Sequence, residues 1–460
     1  MTGIEDWTGD IHQGDAAETL AEMPANSVHM AMCSPPYYGL RDYSVDGQIG
    51  LEESLGAYIE SLVAVADELR RVLRFDGSWW LNLGDSFAGS RRGQWDVDDD
   101  RTKESYSPDS GEFAERRVSL RRKSKMLVPH RVAIALQDAG WVVRSDAVWA
   151  KPNPMPHPVK DRFNEHKEFL FHLTPEPDYW FDLDAIREPH KEASLNSDPS
   201  RFSSSGEQGH AMPQEDGSRE SVGVDADDAL HPNGKNPGDV LEVTVKPFPG
   251  AHFAVYPPEL CEKPIKSSAP EQVCAACGAP YERVTQSTPL WERDASTIDR
   301  PQAKQALKRF RDSDLDVEHL EAIRAVGFGD GDHGDASQGS MDRVNRRQRY
   351  LAREAKDVLG GYFREFVTSP SREHLSWTQA CDCETNRTEA GIVLDPFAGA
   401  GTTCLVAKDH GRRFVGIELN PEYVAMAQKR VGVTVNEPER LVDDDQQATL
   451  PVADGGGEGR

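Results

Sequence analysis

Residues 393–403, with the sequence VLDPFAGAGTT, predict a buried strand that runs into a glycine turn and then into a helix over 402–410. Backbone N–H groups at the start of such a helix can receive an anion, and the glycines let a ligand approach the backbone closely. The next predicted strand, 414–419, contains Glu418 about 20 residues after the turn, the spacing at which a carboxylate can bind a ribose diol. The stretch therefore predicts an α/β fold with a pocket for a nucleotide-like cofactor.

A second predicted strand, near the front of the chain, ends in a rigid polar loop. The apolar run 30–33 is followed by the loop residues Ser34, Pro35, Pro36 and Tyr37. The Ser34 hydroxyl and the Pro35 carbonyl can accept hydrogen bonds from an amine, and the two prolines hold that carbonyl rigidly. Tyr37 offers a ring face to a base that has been pulled out of a duplex. This loop therefore predicts a pocket for a flat base, in which orientation of an exocyclic amine lowers the barrier.

Predicted helices and strands alternate between these two motifs and after them. They are the helix 16–22, the helix 55–73, the strand 77–85, the helix 127–139 and the strand 141–149. Alternation at this spacing is typical of a mainly parallel sheet that is covered by helices on both faces.

These residues carry a family resemblance. The stretch 395–403 resembles the S-adenosylmethionine motif of DNA amino-methyltransferases, 418–423 resembles their acidic ribose-binding loop, and 14–15 resembles the acidic turn that borders the adenine. Residues 252–257 resemble the short family segment that packs against the cofactor. The resemblance implies that S-adenosylmethionine is bound by Asp15, Asp395, Phe397, Gly399, Gly401, Thr402 and Glu418.

The order of the motifs implies a class within that family. The catalytic motif precedes the cofactor motif, as in the β-type permuted enzymes. The resemblance therefore implies an α/β fold with a Rossmann-like methyltransferase sheet and permuted motif order. We also expect an inserted target-recognition region and a small zinc knuckle. A serine at the first catalytic position implies N4-cytosine as the target, with N6-adenine as the alternative. Trp149, Lys151 and Asn153 are candidates for lining the base pocket, whereas 166–168 is assigned a structural role.

The chain is divided into six segments on this basis. We expect residues 1–188 to form the catalytic half, with a mobile loop at 89–125, and residues 380–433 to form the cofactor-binding half with the second cysteine pair. Between them we expect an exposed insertion at 189–249, the cofactor-packing segment with the first cysteine pair at 250–285, and a charged helical insertion at 286–379; both insertions are candidate recognition regions. Residues 434–460 are expected to be a disordered acidic tail.

Four of the seven cysteines form a pattern. Cys274 and Cys277 make a Cys-x-x-Cys knuckle, and Cys381 and Cys383 supply a second pair. Four thiolates can close a tetrahedral structural zinc site that has no open position for catalysis. The alternative is four unrelated reduced thiols. The other three cysteines are predicted to be small core residues.

The charge of the chain is unusual for a protein that binds DNA. Acidic residues number 78 against 52 basic ones, of which only 16 are Lys, and the formal net charge is -26. Either the partner is not nucleic acid, or the acidity is an adaptation of the whole surface to a salt-loaded cytoplasm. We favour the second hypothesis, with local basic groups at 116–117, 121–125 or 343–349 as candidates for DNA contacts.

The sequence therefore predicts a cytoplasmic, site-specific DNA (cytosine-N4) methyltransferase that uses S-adenosylmethionine and a structural zinc ion. Double-stranded DNA is the expected partner, and the enzyme either protects DNA from a cognate restriction endonuclease or acts as an orphan. Resemblance to methylases of salt-adapted archaea suggests a short palindrome such as CTAG. We find no signal peptide and no membrane span. A zinc-stabilised DNA-binding regulator with an inert methylase fold is the rival of another class.

Overall fold

The strands that carry the two motifs lie side by side in one sheet. Leu394 pairs with Ala31, and Val393 pairs with Met30, in parallel register. The carboxyl ends of these strands therefore meet at the same edge, where open α/β sheets bind their ligands. The computed structural model describes residues 3–40, 43, 45–88, 120–121, 123–154, 159–190, 212–213, 219–220, 233–246, 255–298, 301–326, 345–368 and 371–433.

An eight-stranded sheet forms the centre of the molecule. Its strands are β1 (Asp10–Gln13), β2 (Val28–Cys33), β3 (Leu73–Leu83), β4 (Val142–Ala150), β5 (Lys167–Thr174), β6 (Val240–Glu242), β7 (Ile392–Asp395) and β8 (Arg413–Glu418). Their order across the sheet is β1-β8-β7-β2-β3-β5-β4-β6. Strand β5 runs antiparallel to its neighbours β3 and β4, and the other pairs are parallel. The sheet is thus mainly parallel, as the alternation of elements predicts.

Helices cover both faces of the sheet and form a separate unit beside it. The α-helices of the described residues are α1 (Ala16–Glu22), α2 (Leu55–Val72), α3 (Val128–Asp138), α4 (Glu259–Ser268), α5 (Pro301–Arg311), α6 (Val317–Val326), α7 (Arg346–Leu359), α8 (Phe363–Thr368), α9 (Thr402–Asp409) and α10 (Pro421–Val431). Side chains of the N-cap residues, which directly precede the helices, explain several of the starts. Ser54 caps α2, and Asn345 caps α7 in a reciprocal pair with Gln348.

Two hydrophobic clusters hold the layers together. Strand β2 alternates between them: Ala31 and Cys33 face the cluster formed with α1, α2 and α3, whereas Met30 and Met32 face the cluster formed with α4, α9 and α10. Every residue of β2 is buried, as expected for a central strand that is covered on both faces. The resulting three layers position the carboxyl ends of β2, β7 and β8 around one opening.

The helices α5 to α8 have a core of their own. Buried residues such as Leu307, Leu320 and Phe366 form a third hydrophobic cluster within 290–367. A two-stranded antiparallel sheet, Tyr281–Thr288 with Ser371–Gln379, connects these helices to the rest of the chain. We call this small sheet and α5 to α8 together the helical arm. The sequence predicts the helices of this insertion but not its small sheet.

Other expectations differ from the structure in detail. Strand β3 begins at Leu73, immediately after α2 and four residues earlier than predicted, because Leu73 already pairs with Val28 of β2 ahead of an irregularity in the register. Most of the predicted loop at 89–125, most of the insertion at 189–249, residues 252–254 and the tail from 434 lie outside the described residues. None of the described helices is both long and apolar enough to cross a membrane.

Candidate active site

A cavity of about 510 Å³ opens at the carboxyl ends of β2, β7 and β8. Residues from both ends of the chain line it. Among the predicted site residues these are Asp15, Ser34, Pro35, Pro36, Tyr37, Phe397, Gly399, Thr402 and Glu418. Asp395 and Gly401 lie behind the lining. The structure therefore brings the two motifs together around one space.

The glycine turn and the acidic strand end are joined directly. The Gly399 N–H donates a hydrogen bond of 2.8 Å to the Glu418 carboxylate, and the Asn420 N–H donates one of 2.9 Å to its other oxygen. Burial raises the pKa of Glu418, while these two backbone donors oppose the shift. Each carboxylate oxygen keeps a further lone pair for a hydroxyl donor. Glu418 is thus fixed at the point where a diol could be received.

Asp15 is held next to Glu418 by backbone contacts. The Gly14 N–H donates to the Glu418 carbonyl at 3.1 Å. The Asp15 carboxylate caps α1 by accepting from Ala17 and Glu18 N–H groups at 2.9 Å and 3.1 Å. Asp15 therefore has a structural role in addition to the cofactor contact that the resemblance implies.

Asp395 supports the glycine turn from behind. Its side chain is 1% exposed and accepts hydrogen bonds from the Phe397 N–H at 3.0 Å and from the Tyr256 hydroxyl at 3.1 Å. Burial raises the pKa of Asp395 to about 7. Tyr256 also contacts the Thr403 hydroxyl and lines the cavity. Tyr256, in the segment that the resemblance assigns to cofactor packing, therefore lies against the glycine turn at the wall of the cavity.

Gly401 serves helix packing. It adopts a left-handed conformation with φ of 72° at the start of α9. A Cβ atom there would lie 3.1 Å from Ala427 and 3.1 Å from Val431, both on α10. Glycine at this position therefore allows α9 and α10 to approach closely.

A chain of hydrogen bonds orients the Ser34 hydroxyl. Ser34 donates to the Tyr37 hydroxyl at 3.2 Å, and Tyr37 donates to the Glu168 carboxylate at 2.8 Å. The Lys151 ammonium contacts the other oxygen of Glu168. The Tyr37 hydroxyl also lies 3.1 Å from Asn82 Oδ1, but it has one proton, which the closer and charged acceptor takes. The Ser34 oxygen is therefore left as a hydrogen-bond acceptor.

The backbone of the motif is fixed by two further contacts. The buried Tyr58 donates its hydroxyl to the Pro36 carbonyl at 3.0 Å. The Tyr37 ring packs on Gly84, where a Cβ atom would lie 2.6 Å from the ring. Within the described part of the chain, the Pro35 carbonyl has no hydrogen-bond donor. Two acceptors, Ser34 Oγ and the Pro35 carbonyl, thus remain for an incoming amine.

The candidates for the base pocket divide into two groups. Trp149 and Lys151 line the cavity, with the Lys151 ammonium 4.2 Å from the centre of a Trp149 ring. Asn153 does not line it. Instead, both polar groups of its amide bond the backbone of Val245 at 2.9 Å, and Val245 lines the cavity.

Sequence reasoning missed the part that Glu168 plays in the site. It assigned 166–168 a structural role, whereas Glu168 lines the cavity and ends the hydrogen-bond chain from Ser34. Burying this acid is tolerated because Lys151 pairs with it. An acid at the start of a buried strand, with a lysine seventeen positions upstream, is too common a pattern to identify such a pair.

The four predicted cysteine ligands lie together. The sulfur atoms of Cys274, Cys277, Cys381 and Cys383 are all within 4.8 Å of one another. Tetrahedral zinc with Zn–S bonds of about 2.3 Å requires S–S distances of about 3.8 Å, so this group fits the ion after a small contraction. The Gln379 side chain donates to Cys381 Sγ at 3.2 Å, a contact that suits a thiolate.

The cysteine knuckle is attached to the central sheet through His29. Its Nε2 contacts the Gly278 carbonyl at 2.9 Å, and its Nδ1 accepts from the Ile392 N–H at 3.1 Å. Burial lowers the pKa of His29 to about 4, so the ring stays neutral and keeps both contacts. Arg74 donates to the Cys277 carbonyl at 3.0 Å. The knuckle therefore braces β2 and β7 at the ends opposite the cavity.

Comparison with known proteins identifies a family and shows which residues of the chain match it. A family profile described as "DNA methylase", of the N6/N4 type, matches residues 28–273 and 384–429. The matched parts stop one residue before Cys274 and resume one residue after Cys383. The insertion between them, which contains the helical arm, lies outside the match.

Individual relatives include type II methyltransferases. M.XycI from Xanthomonas campestris pv. cyanopsidis is 36% identical over 260 residues, which cover 56% of this chain and 72% of the relative. M.SfiI from Streptomyces fimbriatus is 30% identical over 444 residues, which cover 94% of this chain and 93% of the relative.

Solved structures also align with the chain. The PvuII DNA methyltransferase (cytosine-N4-specific) aligns with a TM-score of 0.43 and 14% identity over 93% of this chain and 87% of that one. A putative DNA modification methylase from Thermus thermophilus, in complex with S-adenosyl-L-methionine, aligns with a TM-score of 0.39 and 17% identity over 92% of this chain and 93% of that one.

Proposed function

The chain belongs to the DNA methylase family, and from that premise we propose that it transfers a methyl group from S-adenosylmethionine to the N4 amine of cytosine in a short DNA motif. The observation that carries the proposal is that Ser34 and Glu418, from opposite ends of the sequence, line the same cavity. One is an acceptor suited to an amine, and the other is a carboxylate suited to a ribose.

The residues of the cofactor side suit S-adenosylmethionine. Glu418 would bind the ribose hydroxyls, Asp15 would border the adenine, and the turn at Gly399 would leave room for the methionine part. When bound, S-adenosylmethionine supplies an electrophilic methyl carbon on a sulfonium sulfur. Phe397 lines the same side, while Asp395 fixes the turn through the Phe397 N–H.

The residues of the catalytic side suit an exocyclic amine. The lone pair of that nitrogen is delocalised into the base, so the amine is a weak nucleophile. Ser34 Oγ and the Pro35 carbonyl would accept its two N–H groups, which favours a pyramidal nitrogen with its lone pair directed at the methyl carbon. The Lys151–Glu168–Tyr37 chain keeps the Ser34 oxygen in the accepting orientation.

The same hydrogen bonds offer a path for the released proton. The nitrogen gains a methyl group and must lose one proton afterwards. Ser34 can accept that proton while it donates its own to Tyr37, and Tyr37 can pass one to the Glu168 carboxylate. The hydroxyl groups regain their protons in the shift, so only Glu168 changes its charge.

The choice of cytosine depends on the motif. Serine at the first position, Ser34, is commoner in the N4-cytosine enzymes that this chain resembles. N6-adenine is the alternative within the same chemistry, because both substrates present an exocyclic amine. The catalytically inert regulator has no observation in its favour, since the acceptors and Glu418 all line the cavity.

Relatives suggest the biological setting. Two relatives that match over most of their own length are named type II methyltransferases. We propose that this enzyme protects cytoplasmic DNA from a cognate restriction endonuclease, or acts alone, at a short palindrome such as CTAG.

One experiment tests the proposal. The protein is expressed in a host without DNA methylation, and modified bases in the host genome are identified by sequencing. We expect N4-methylcytosine in a single short motif. N6-methyladenine would instead establish the alternative, and an unmodified genome from well-folded protein would refute the proposed activity.

The cysteine cluster supports a second proposal, which concerns structure. We propose that Cys274, Cys277, Cys381 and Cys383 bind one structural zinc ion. Four sulfur ligands leave no position for substrate, so the ion would serve stability. Its place between the two matched parts of the family suggests that it closes the base of the inserted arm.

A further inference from the structure

The helical arm is mounted firmly on the methyltransferase sheet. The Arg283 guanidinium, on the small sheet of the arm, donates to the Asp182 carboxylate at 2.6 Å, and the two side chains are only 21% and 8% exposed. Arg283 also lies 4.6 Å from the centre of a Trp377 ring on the opposite strand. Gln379, at the end of the small sheet, donates a hydrogen bond to Cys381 of the cysteine cluster. A surface carried by the arm is therefore held in a defined orientation.

The first two turns of one helix of the arm, α7, present a basic face to solvent. The inner face of the helix buries Ala352, Ala355 and Leu359 in the core of the arm. The exposed residues on the other side are, in the first two turns, Arg346, Arg349, Tyr350 and Arg353, followed by Glu354 and Asp357.

Arg346 and Arg353 differ from Lys123 and Lys125, two basic residues of the group at 121–125 that the sequence singled out. Lys123 pairs with Asp161 at 2.5 Å, and Lys125 pairs with Glu165 at 2.7 Å. In the part of the chain that the structure describes, no acidic side chain pairs with Arg346 or Arg353. In a protein with a net charge of -26, two arginines without an acidic partner on one helix face create a local positive potential, which suits a phosphate group.

We propose that this outward face of α7 binds the phosphate backbone of duplex DNA. The inference depends on the proposed function, which requires duplex DNA as the substrate. Arg346 and Arg353 are separated by about 10 Å along the helix axis, which matches about three base-pair steps. Tyr350, 67% exposed between them, adds a hydroxyl donor and an aromatic surface. The arm, absent from the matched family regions, would thus supply DNA contacts that the sheet does not.

The test compares two double variants of the full chain. Arg346→Ala/Arg353→Ala removes two charges from the face of α7, and Lys160→Ala/Lys429→Ala removes two exposed charges elsewhere. Binding to a mixed-sequence DNA duplex is measured at several salt concentrations. Binding of S-adenosylmethionine is measured in parallel, and we expect it to be unchanged in both variants because none of these residues lines the cavity.

We expect the arginine variant to bind duplex DNA about tenfold more weakly or worse, and its salt slope to fall in magnitude by about 2, whereas the lysine variant matches the wild type. Equal binding by both variants and the wild type would overturn the inference, as would equal weakening of both variants. If the wild type methylates DNA in either case, the proposed function survives. A wild type that neither binds nor methylates duplex DNA refutes both.

Discussion

The Ser34 hydroxyl donates to the Tyr37 hydroxyl at 3.2 Å, and this direction decides what Ser34 can do. Tyr37 in turn donates to Glu168, so its oxygen is available to receive the Ser34 proton. Burial raises the pKa of Tyr37 well above its usual range, which keeps its proton in place at neutral pH. Ser34 therefore meets the cavity with lone pairs rather than with a proton.

Replacing Glu168 with glutamine should slow methyl transfer without weakening the binding of S-adenosylmethionine. The substitution keeps the size of the side chain but removes the charge that receives the Tyr37 proton and pairs with Lys151. Loss of a charged hydrogen bond of about 1.5–3 kcal/mol corresponds to a rate about 10 to 100 times lower. Single-turnover methylation and equilibrium cofactor binding measure the two effects separately.

Glu165→Gln is the matched control for this variant. Glu165 lies three positions away and pairs with Lys125 at 2.7 Å, but it does not line the cavity. We expect its rate to stay within about twofold of the wild type. A Glu168→Gln enzyme as fast as this control would show that Glu168 does not assist methyl transfer.

Asp395→Asn should change how stability depends on pH. The pKa of Asp395 is raised to about 7 by burial, so the folded protein holds a proton that the unfolded chain loses at lower pH. Wild-type stability should therefore fall by up to about 1.4 kcal/mol per pH unit as pH rises toward 7, relative to the variant. Urea unfolding between about pH 5 and about pH 8 measures this difference, and parallel curves for the two proteins would contradict it.

The zinc proposal predicts one metal ion per chain. Cys381→Ser should lose the ion and should loosen the contact between the knuckle and His29, because the Gly278 carbonyl is held within the cysteine turn. Elemental analysis measures the metal, and hydrogen exchange at Ile392, whose N–H bonds His29, measures the loosening. Cys261→Ala, which removes a buried thiol outside the cluster, should retain the ion. Wild-type protein with no metal would contradict the proposal.

Salt should stabilise the protein. With 78 acidic residues and 52 basic ones, the folded chain repels itself, and salt screens that repulsion within a few ångströms at molar concentration. We expect the thermal midpoint to rise between about 0.1 M and about 2 M KCl. Full activity in dilute buffer, together with a thermal midpoint that is the same at low and high salt, would count against adaptation to a salt-loaded cytoplasm.

The sequence predicts the elements near the site well, for physical reasons. The apolar run of β2 and the glycine turn after β7 are local patterns, so their positions follow from periodicity and from glycine and proline alone. That they pair side by side follows from the resemblance and is borne out by the register of Leu394 with Ala31.

Contacts between distant residues are the part that the sequence does not predict. Glu168 acts on Ser34 only because β5 pairs beside β3 and brings the acid to Tyr37, a link across 131 positions. Asn153 was expected in the base pocket, but the backbone of Val245 occupies its amide. Such contacts depend on sheet order and loop packing, which no local pattern contains.

The most direct measurement compares Ser34→Ala and Glu418→Ala with the wild type, using both S-adenosylmethionine binding and methyl transfer to DNA. We expect Ser34→Ala to bind the cofactor normally but to transfer no methyl group, and Glu418→Ala to lose both binding and transfer. Transfer that survives in Ser34→Ala, or normal cofactor binding by Glu418→Ala, would contradict the claim that these residues form the two sides of one active site.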